Sequence, residues 1–141
     1  MLNIFQPDLG VEELNEIDKT FKTNWIGKGA KVDEFERNLE KHFEVEKDTV
    51  ITTNSCTEAL FTVFEFIREE ISDKTFKDEI ILTPISFIGA ANAIIKSGLK
   101  PIIVDVEDWS FNICKIEDKI NSNTAAIFIT PYGGNSQKNV D

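Results

Sequence analysis

The sequence of 141 residues predicts an α/β fold with a mostly parallel sheet and flanking helices. Two observations support this fold class. Strand and helix patterns alternate after residue 50, which is typical of strands that are joined by crossover helices. The strands are mostly continuous apolar runs, such as "EIILT" and "PIIVDV", which indicates that both faces of each strand are covered.

Two helices are predicted before the alternation begins. Apolar residues recur at helical spacing over residues 11–23 and again over residues 32–43. The stretch "NWIGKG" (residues 24–29) breaks the pattern between them. Trp25 in this stretch is either an interface or lid aromatic or a packing residue, and the sequence leaves both readings open.

The alternating elements follow in chain order. Strands are predicted at residues 50–53, 79–83, 101–106 and 125–130. Helices are predicted at residues 57–71, 87–97 and 116–120. Gly98 is expected to close the second of these helices, because glycine readily adopts the left-handed conformation of a helix C-cap.

Composition excludes several classes of function. A formal net charge of -10 argues against a nucleic-acid-binding surface, which needs a basic stripe. Two cysteines, Cys56 and Cys114, are too few and too far apart for a disulfide scaffold or a zinc knuckle, so no metal site is predicted. The N-terminus does not resemble a signal peptide, and no apolar run approaches the roughly 20 residues that span a bilayer. We therefore expect a cytoplasmic protein that binds neither nucleic acid nor membrane.

The stretch "TTNSCTEAL" (residues 52–60) places four small polar side chains at a predicted strand-to-helix turn. One interpretation is a capping box, in which Ser55 bonds the N–H of Glu58 and the Glu58 carboxylate reaches back. The other is an anion site, because a phosphate there would meet the free N–H groups of Cys56 and Thr57 and the Thr57 hydroxyl. Spacing alone favours the helix cap.

Ligands of parallel sheets bind at the carboxyl ends of the strands, and two other segments are predicted there. "PISF" follows the second predicted strand, and its Phe87 is either a core residue or a stacking platform. Asp105 lies near the end of the third predicted strand, where a carboxylate usually caps the next turn.

Five segments, taken together and in order, resemble one family. They are "WIGKGAKVDEFE", "NSCTEAL", "DEIILTPISF", "NAIIKSGLKPIIVDV" and "TAAIFITPYG". They resemble the start of the DegT/StrS family of sugar aminotransferases, which use pyridoxal phosphate (PLP). The resemblance runs from about Trp25 to the end of the chain. It implies that residues 1–141 form the N-terminal part of the PLP-binding large domain of the aspartate-aminotransferase-like fold (fold type I).

The resemblance implies roles for four residues. In the family, a Ser-Gly-Thr-Ala-Leu loop holds the cofactor phosphate, and the similar loop here supplies the N–H of Cys56 and the hydroxyl and N–H of Thr57. Ser55 would support that loop. Phe87 matches the aromatic residue that stacks on the pyridine ring. Cys56 replaces the family's usual glycine, which keeps a backbone donor but adds bulk that can alter phosphate affinity.

The family's reaction is an expectation for the whole enzyme. An amino group, typically from glutamate, is transferred to a keto group of a nucleotide-linked sugar, and the cofactor alternates with its pyridoxamine phosphate form. Members are homodimers. The family's ring-nitrogen Asp and Schiff-base Lys both follow the point where this chain stops, as do the rest of the large domain and the small domain. No catalytic residue is therefore assigned, and the chain alone is expected to be inactive.

Other readings stay open at this point. The sugar 3-dehydratases of the same family, which use pyridoxamine phosphate, are echoed by "SDKTFKDEI" (residues 72–80) and "SGLKPIIVDVE" (residues 97–107). The "SCTEAL" loop looks more like the aminotransferases. A non-catalytic remnant with an interaction role, or one half of a split enzyme, is a further alternative.

Overall fold

The computed structural model describes residues 6–107, 110–111 and 113–134. The contacts within the chain divide it into two compact units, with the boundary between Thr52 and Thr53. Among the described residues, no helix is long and apolar enough to cross a membrane.

The first unit contains the two predicted helices, α1 (Val11–Phe21) and α2 (Ala30–Phe43). Helix α2 begins directly after Gly29, which lies against the Trp25 ring: a Cβ added at Gly29 would be 2.9 Å from Trp25 Cδ1. The Trp25 indole N–H donates to the carbonyl of Lys28 at 2.8 Å. Trp25 therefore packs on its own loop, although 61% of the residue is exposed.

The predicted strand at residues 50–53 is wrong. These residues pair with no strand in the part of the chain that the structure describes. The N–H and the hydroxyl of Thr52 both donate to the carboxylate of Glu36, at 2.8 Å each. The N–H of Thr49 donates to the carboxylate of Glu40 at 3.2 Å. Side chains of α2 thus hold this segment, although its β-branched residues suit a strand.

The second unit contains a three-stranded parallel sheet, which confirms the predicted fold class. In chain order the strands are β1 (Glu79–Leu82), β2 (Lys100–Ile103), β3 (Val106–Glu107), β4 (Ser110–Phe111) and β5 (Thr124–Phe128). The parallel sheet has the order β2-β1-β5, and β3 and β4 form a separate antiparallel pair.

The helices of this unit lie between and beside those strands. They are α3 (Cys56–Ile67), which continues through a π-helical segment (Arg68–Ser72) into α4 (Asp73–Thr75), then α5 (Ile88–Lys96), α6 (Ile113–Glu117) and a 3₁₀ turn (Tyr132–Gly134). Gly98 follows α5 with φ 78°, which confirms the predicted left-handed cap.

The central strand β1 is covered on both faces, as its apolar sequence predicts. Ile80 and Leu82 belong to a cluster with side chains of α3 and α5, among them Phe64 and Ile94. Ile81 points into a second cluster on the other face. That cluster also contains Val104 and Ile116.

Several element boundaries differ from the prediction, and two elements illustrate this. The strand predicted at residues 101–106 spans Lys100–Ile103, and the Asp105 carboxylate accepts the N–H of Val106 at 3.0 Å where β3 begins. The helix predicted at residues 116–120 begins and ends earlier, at Ile113–Glu117. After β5 the chain forms a short 3₁₀ turn at Tyr132–Gly134, and residues 135–141 lie outside the described residues.

Candidate functional site

Ser55 is the N-cap of α3. Its backbone is extended, and its Oγ accepts the N–H of Glu58 at 3.2 Å. The Thr53 hydroxyl donates to the Ser55 carbonyl at 2.9 Å and fixes the chain just before the helix. The Ser55 half of the predicted capping box is therefore confirmed. The reciprocal bond from Glu58 does not occur among the hydrogen bonds of the described residues.

The first turn of α3 leaves donors free. Within the described residues, the N–H groups of Cys56 and Thr57 have no acceptor, as geometry requires at a helix start, and the Thr57 hydroxyl makes no hydrogen bond. The Cys56 thiol is free and exposed, and Thr57 is half-buried. Two N–H groups and one hydroxyl thus lie together at the positive end of the helix dipole.

Phe87 is the N-cap of α5, directly after the loop that leaves the carboxyl end of β1. Its backbone is extended, with φ -66° and ψ 136°, and 75% of the residue is exposed. The reading of Phe87 as a core residue is therefore wrong. An exposed aromatic ring at this end of the sheet is available to a ligand.

Gly89 lies next to side chains from the starts of both α3 and α5. A Cβ added at Gly89 would lie 2.9 Å from Phe87 Cδ1 and 3.1 Å from Thr57 Oγ1. The Phe87 ring and the Thr57 hydroxyl therefore flank the same small notch, although 30 positions separate them in the sequence. Gly89 is not identified by the sequence analysis. The one indication in the sequence is a glycine two residues after the aromatic Phe87.

The other sequence candidates have contacts of their own among the described residues. Asp105 is exposed, caps its own turn, and lies 3.7 Å from Lys115 Nζ. Its predicted capping role is confirmed. Trp25 belongs to the first unit and packs there.

The donor set at the notch fits a phosphorylated aromatic ligand. The free N–H groups and the hydroxyl suit phosphate oxygens, and the exposed ring of Phe87 suits a planar ring. Among the described residues, no group of three or more histidine, cysteine or acidic residues is arranged to hold a metal ion. Ser55, Thr57 and Phe87 offer binding contacts and no group with a pKa suited to proton transfer near neutral pH.

Comparison with known families gives a match over almost the whole chain. Residues 7–141 match the DegT/DnrJ/EryC1/StrS aminotransferase family.

Curated relatives agree with this match. The chain is 37% identical over 136 residues to a dTDP-4-dehydro-2,3,6-trideoxy-D-glucose 4-aminotransferase of Saccharopolyspora spinosa. This match covers 95% of this chain and 34% of the relative. It is 30% identical over 132 residues to a UDP-4-amino-4,6-dideoxy-N-acetyl-beta-L-altrosamine transaminase of Helicobacter pylori. This match covers 93% of this chain and 34% of the relative. The chain therefore spans about a third of the length of the curated relatives it matches.

Solved structures show the same relationship. The aminotransferase TlmJ from Streptoalloteichus hindustanus superposes with a TM-score of 0.83 at 33% identity. The match covers 94% of this chain and 35% of that chain. PseC of Helicobacter pylori is an aminotransferase involved in the biosynthesis of pseudoaminic acid. It superposes with a TM-score of 0.80 at 27% identity, over 94% of this chain and 34% of that chain.

Proposed function

The chain belongs to the DegT/DnrJ/EryC1/StrS aminotransferase family, and from this premise we propose that its second unit holds the phosphate and ring of PLP in a nucleotide-sugar aminotransferase. The observation that supports the proposal best is the notch at Gly89. It places a hydroxyl and an aromatic ring, both suited to this cofactor, side by side.

Each residue at the notch has a separate role in the proposal. The N–H groups of Cys56 and Thr57 and the Thr57 hydroxyl donate to phosphate oxygens. Ser55 holds the first turn of α3 so that these donors converge, through its bond to Glu58. Phe87 stacks on the cofactor ring. When bound, PLP supplies the electron sink that the transfer of an amino group requires.

Cys56 is compatible with the proposed role despite its departure from the family's glycine. A backbone N–H is present with either residue, and the residue is exposed. The first helical position needs no special backbone conformation, so the side chain brings bulk without strain. The proposal therefore assigns phosphate binding to the backbone of Cys56 and no role to its thiol.

The proposed reaction moves an amino group from an amino-acid donor, with glutamate expected, to a keto group of a nucleotide-linked sugar. The names of the two relatives support this, since one names a dTDP-linked sugar and the other a UDP-linked sugar. Both are named for amino-group transfer, so we favour this reaction over the dehydratase alternative. Among the residues that the structure describes, we assign no catalytic lysine. The cytoplasmic location and the homodimer stay predictions.

Binding of a PLP analogue tests the proposal. Pyridoxine 5′-phosphate is a suitable probe, because it has the ring and the phosphate but no aldehyde to react with surface lysines. Thr57→Ala removes one hydrogen bond to a charged group, so we expect the 141-residue chain to lose affinity by about tenfold. The matched control is Thr62→Ala on the same helix, where the hydroxyl donates to the Glu58 carbonyl. Equal affinity of the wild type and Thr57→Ala would contradict the proposal.

A further inference from the structure

We propose that Gly89 is a positioning residue, whose missing side chain lets the Phe87 ring and the Thr57 hydroxyl act on one ligand. The ligand class is a phosphorylated aromatic ring. This inference rests on the proposed function, which assigns the phosphate to Thr57 and the ring to Phe87.

The space at Gly89 is closed on two sides. An added Cβ would lie 2.9 Å and 3.0 Å from Phe87 Cδ1 and Cε1, and 3.1 Å from Thr57 Oγ1. Carbon atoms that are not bonded prefer about 3.5–4.0 Å. Any side chain at Gly89 therefore pushes the ring, the hydroxyl, or both out of their present positions.

Backbone conformation does not explain a glycine here. Gly89 is the second residue of α5, and it is not among the glycines with positive φ, which are Gly98, Gly133 and Gly134. Glycine is a poorer helix former than alanine at such a position. The local fold would favour alanine, so the contact with Phe87 and Thr57 is the physical reason for glycine.

The ring, rather than the hydroxyl, is expected to move when a side chain is added. Phe87 is 75% exposed and has few neighbours to hold it, whereas Thr57 is half-buried in α3. Gly89→Ala thus displaces the ring and leaves the phosphate donors nearly unchanged. The variant should separate the two parts of the site.

Two probes measure that separation. For Gly89→Ala we expect the affinity for pyridoxine 5′-phosphate to fall roughly two- to tenfold, the size of an aromatic stacking contribution. The affinity for inorganic phosphate should stay the same, and the thermal midpoint should be unchanged or higher because alanine favours the helix. Gly10→Ala is the matched control, since among the described residues the nearest atom to its methyl would be Glu13 Oε2 at 3.7 Å.

A double-mutant cycle shows whether Gly89 acts through Phe87. In a Phe87→Ala background the added methyl has no ring to displace, so Gly89→Ala should leave the affinity for pyridoxine 5′-phosphate unchanged. Equal losses in both backgrounds, or no loss in the wild-type background, would overturn the inference.

The Thr57→Ala variant distinguishes this failure from a failure of the proposed function. If Thr57→Ala weakens binding and Gly89→Ala does not, only the positioning role is wrong. If Thr57→Ala has no effect, the phosphate site itself is wrong and the role of Gly89 falls with it.

Discussion

The carboxylate of Glu36 accepts two hydrogen bonds from Thr52, one from its N–H and one from its hydroxyl, at 2.8 Å each. Lys28 Nζ lies 2.9 Å from the same carboxylate. Glu36 is only 8% exposed, so this charged group is held almost entirely by protein donors. The contact joins α2 to the end of the first unit.

Glu36→Gln should destabilise the first unit. The amide keeps the shape of the side chain, and its carbonyl oxygen can still accept both Thr52 bonds, but it loses the charge that Lys28 pairs with and places its NH₂ group against the Lys28 ammonium. We expect the thermal midpoint to fall by about 5 °C. Glu34→Gln is the matched control on the same helix, since its exposed pair with Lys31 at 3.5 Å contributes little. Equal midpoints for the two variants would contradict the role given to Glu36.

Acid should weaken the same contact. The Thr52 N–H is the main cause that lowers the pKa of Glu36 from 4.5 to about 2, and Lys28 and the Thr52 hydroxyl add to it. The folded state therefore binds this proton less readily than the unfolded state. The resulting stability is fully present above pH 4.5 and is lost as the pH falls towards 2. Thermal midpoints between pH 6 and pH 2 should fall more steeply for the wild type than for Glu36→Gln, and parallel curves would refute this.

The wrong strand at residues 50–53 shows what a local pattern cannot predict. The run "VITT" has the composition of a strand, and nothing near it in the sequence indicates that Glu36 binds Thr52. Contacts between distant residues decide such cases. By contrast, the helical stripes of α1, α2 and α5 are local patterns, and the structure confirms these helices.

The candidate site was partly predictable for the same reason. The bond from Ser55 to Glu58 depends on residues three positions apart, so spacing alone predicts it. The meeting of Thr57 and Phe87 at Gly89 depends on how α3 and α5 pack, which no spacing reveals.

A proline at position 56 tests the backbone N–H of Cys56, because it removes that donor and leaves the helix in place. Cys56 is the first residue of α3, where proline is well tolerated, and Ser55 already has the extended backbone that precedes a proline. Cys56→Pro should therefore keep the helix, as judged by circular dichroism, while it removes one N–H from the proposed phosphate site. We expect the affinity for pyridoxine 5′-phosphate to fall about tenfold. Cys56→Ala, which keeps the N–H, should bind like the wild type; a loss of the same size in both variants would assign the effect to the thiol.

The exposed apolar side chains of the sheet predict self-association. In the described part of the chain, β2 and β5 are the outer strands, and their Ile103 and Ile127 are 59% and 41% exposed. Open strand edges with apolar side chains favour association between chains. Sedimentation velocity should show the 141-residue chain associating as its concentration rises, and Ile103→Lys should reduce this. A monomer at every concentration would contradict the prediction.

Changes in backbone amide chemical shifts test the central claim most directly, because they report which N–H groups a phosphate contacts. In ¹H–¹⁵N spectra of the 141-residue chain titrated with pyridoxine 5′-phosphate, we predict the largest shift changes at Cys56 and Thr57, with smaller changes near Phe87. Thr57→Ala should reduce all of them. Changes centred elsewhere in the chain, or none at saturating probe, would contradict the proposed cofactor site.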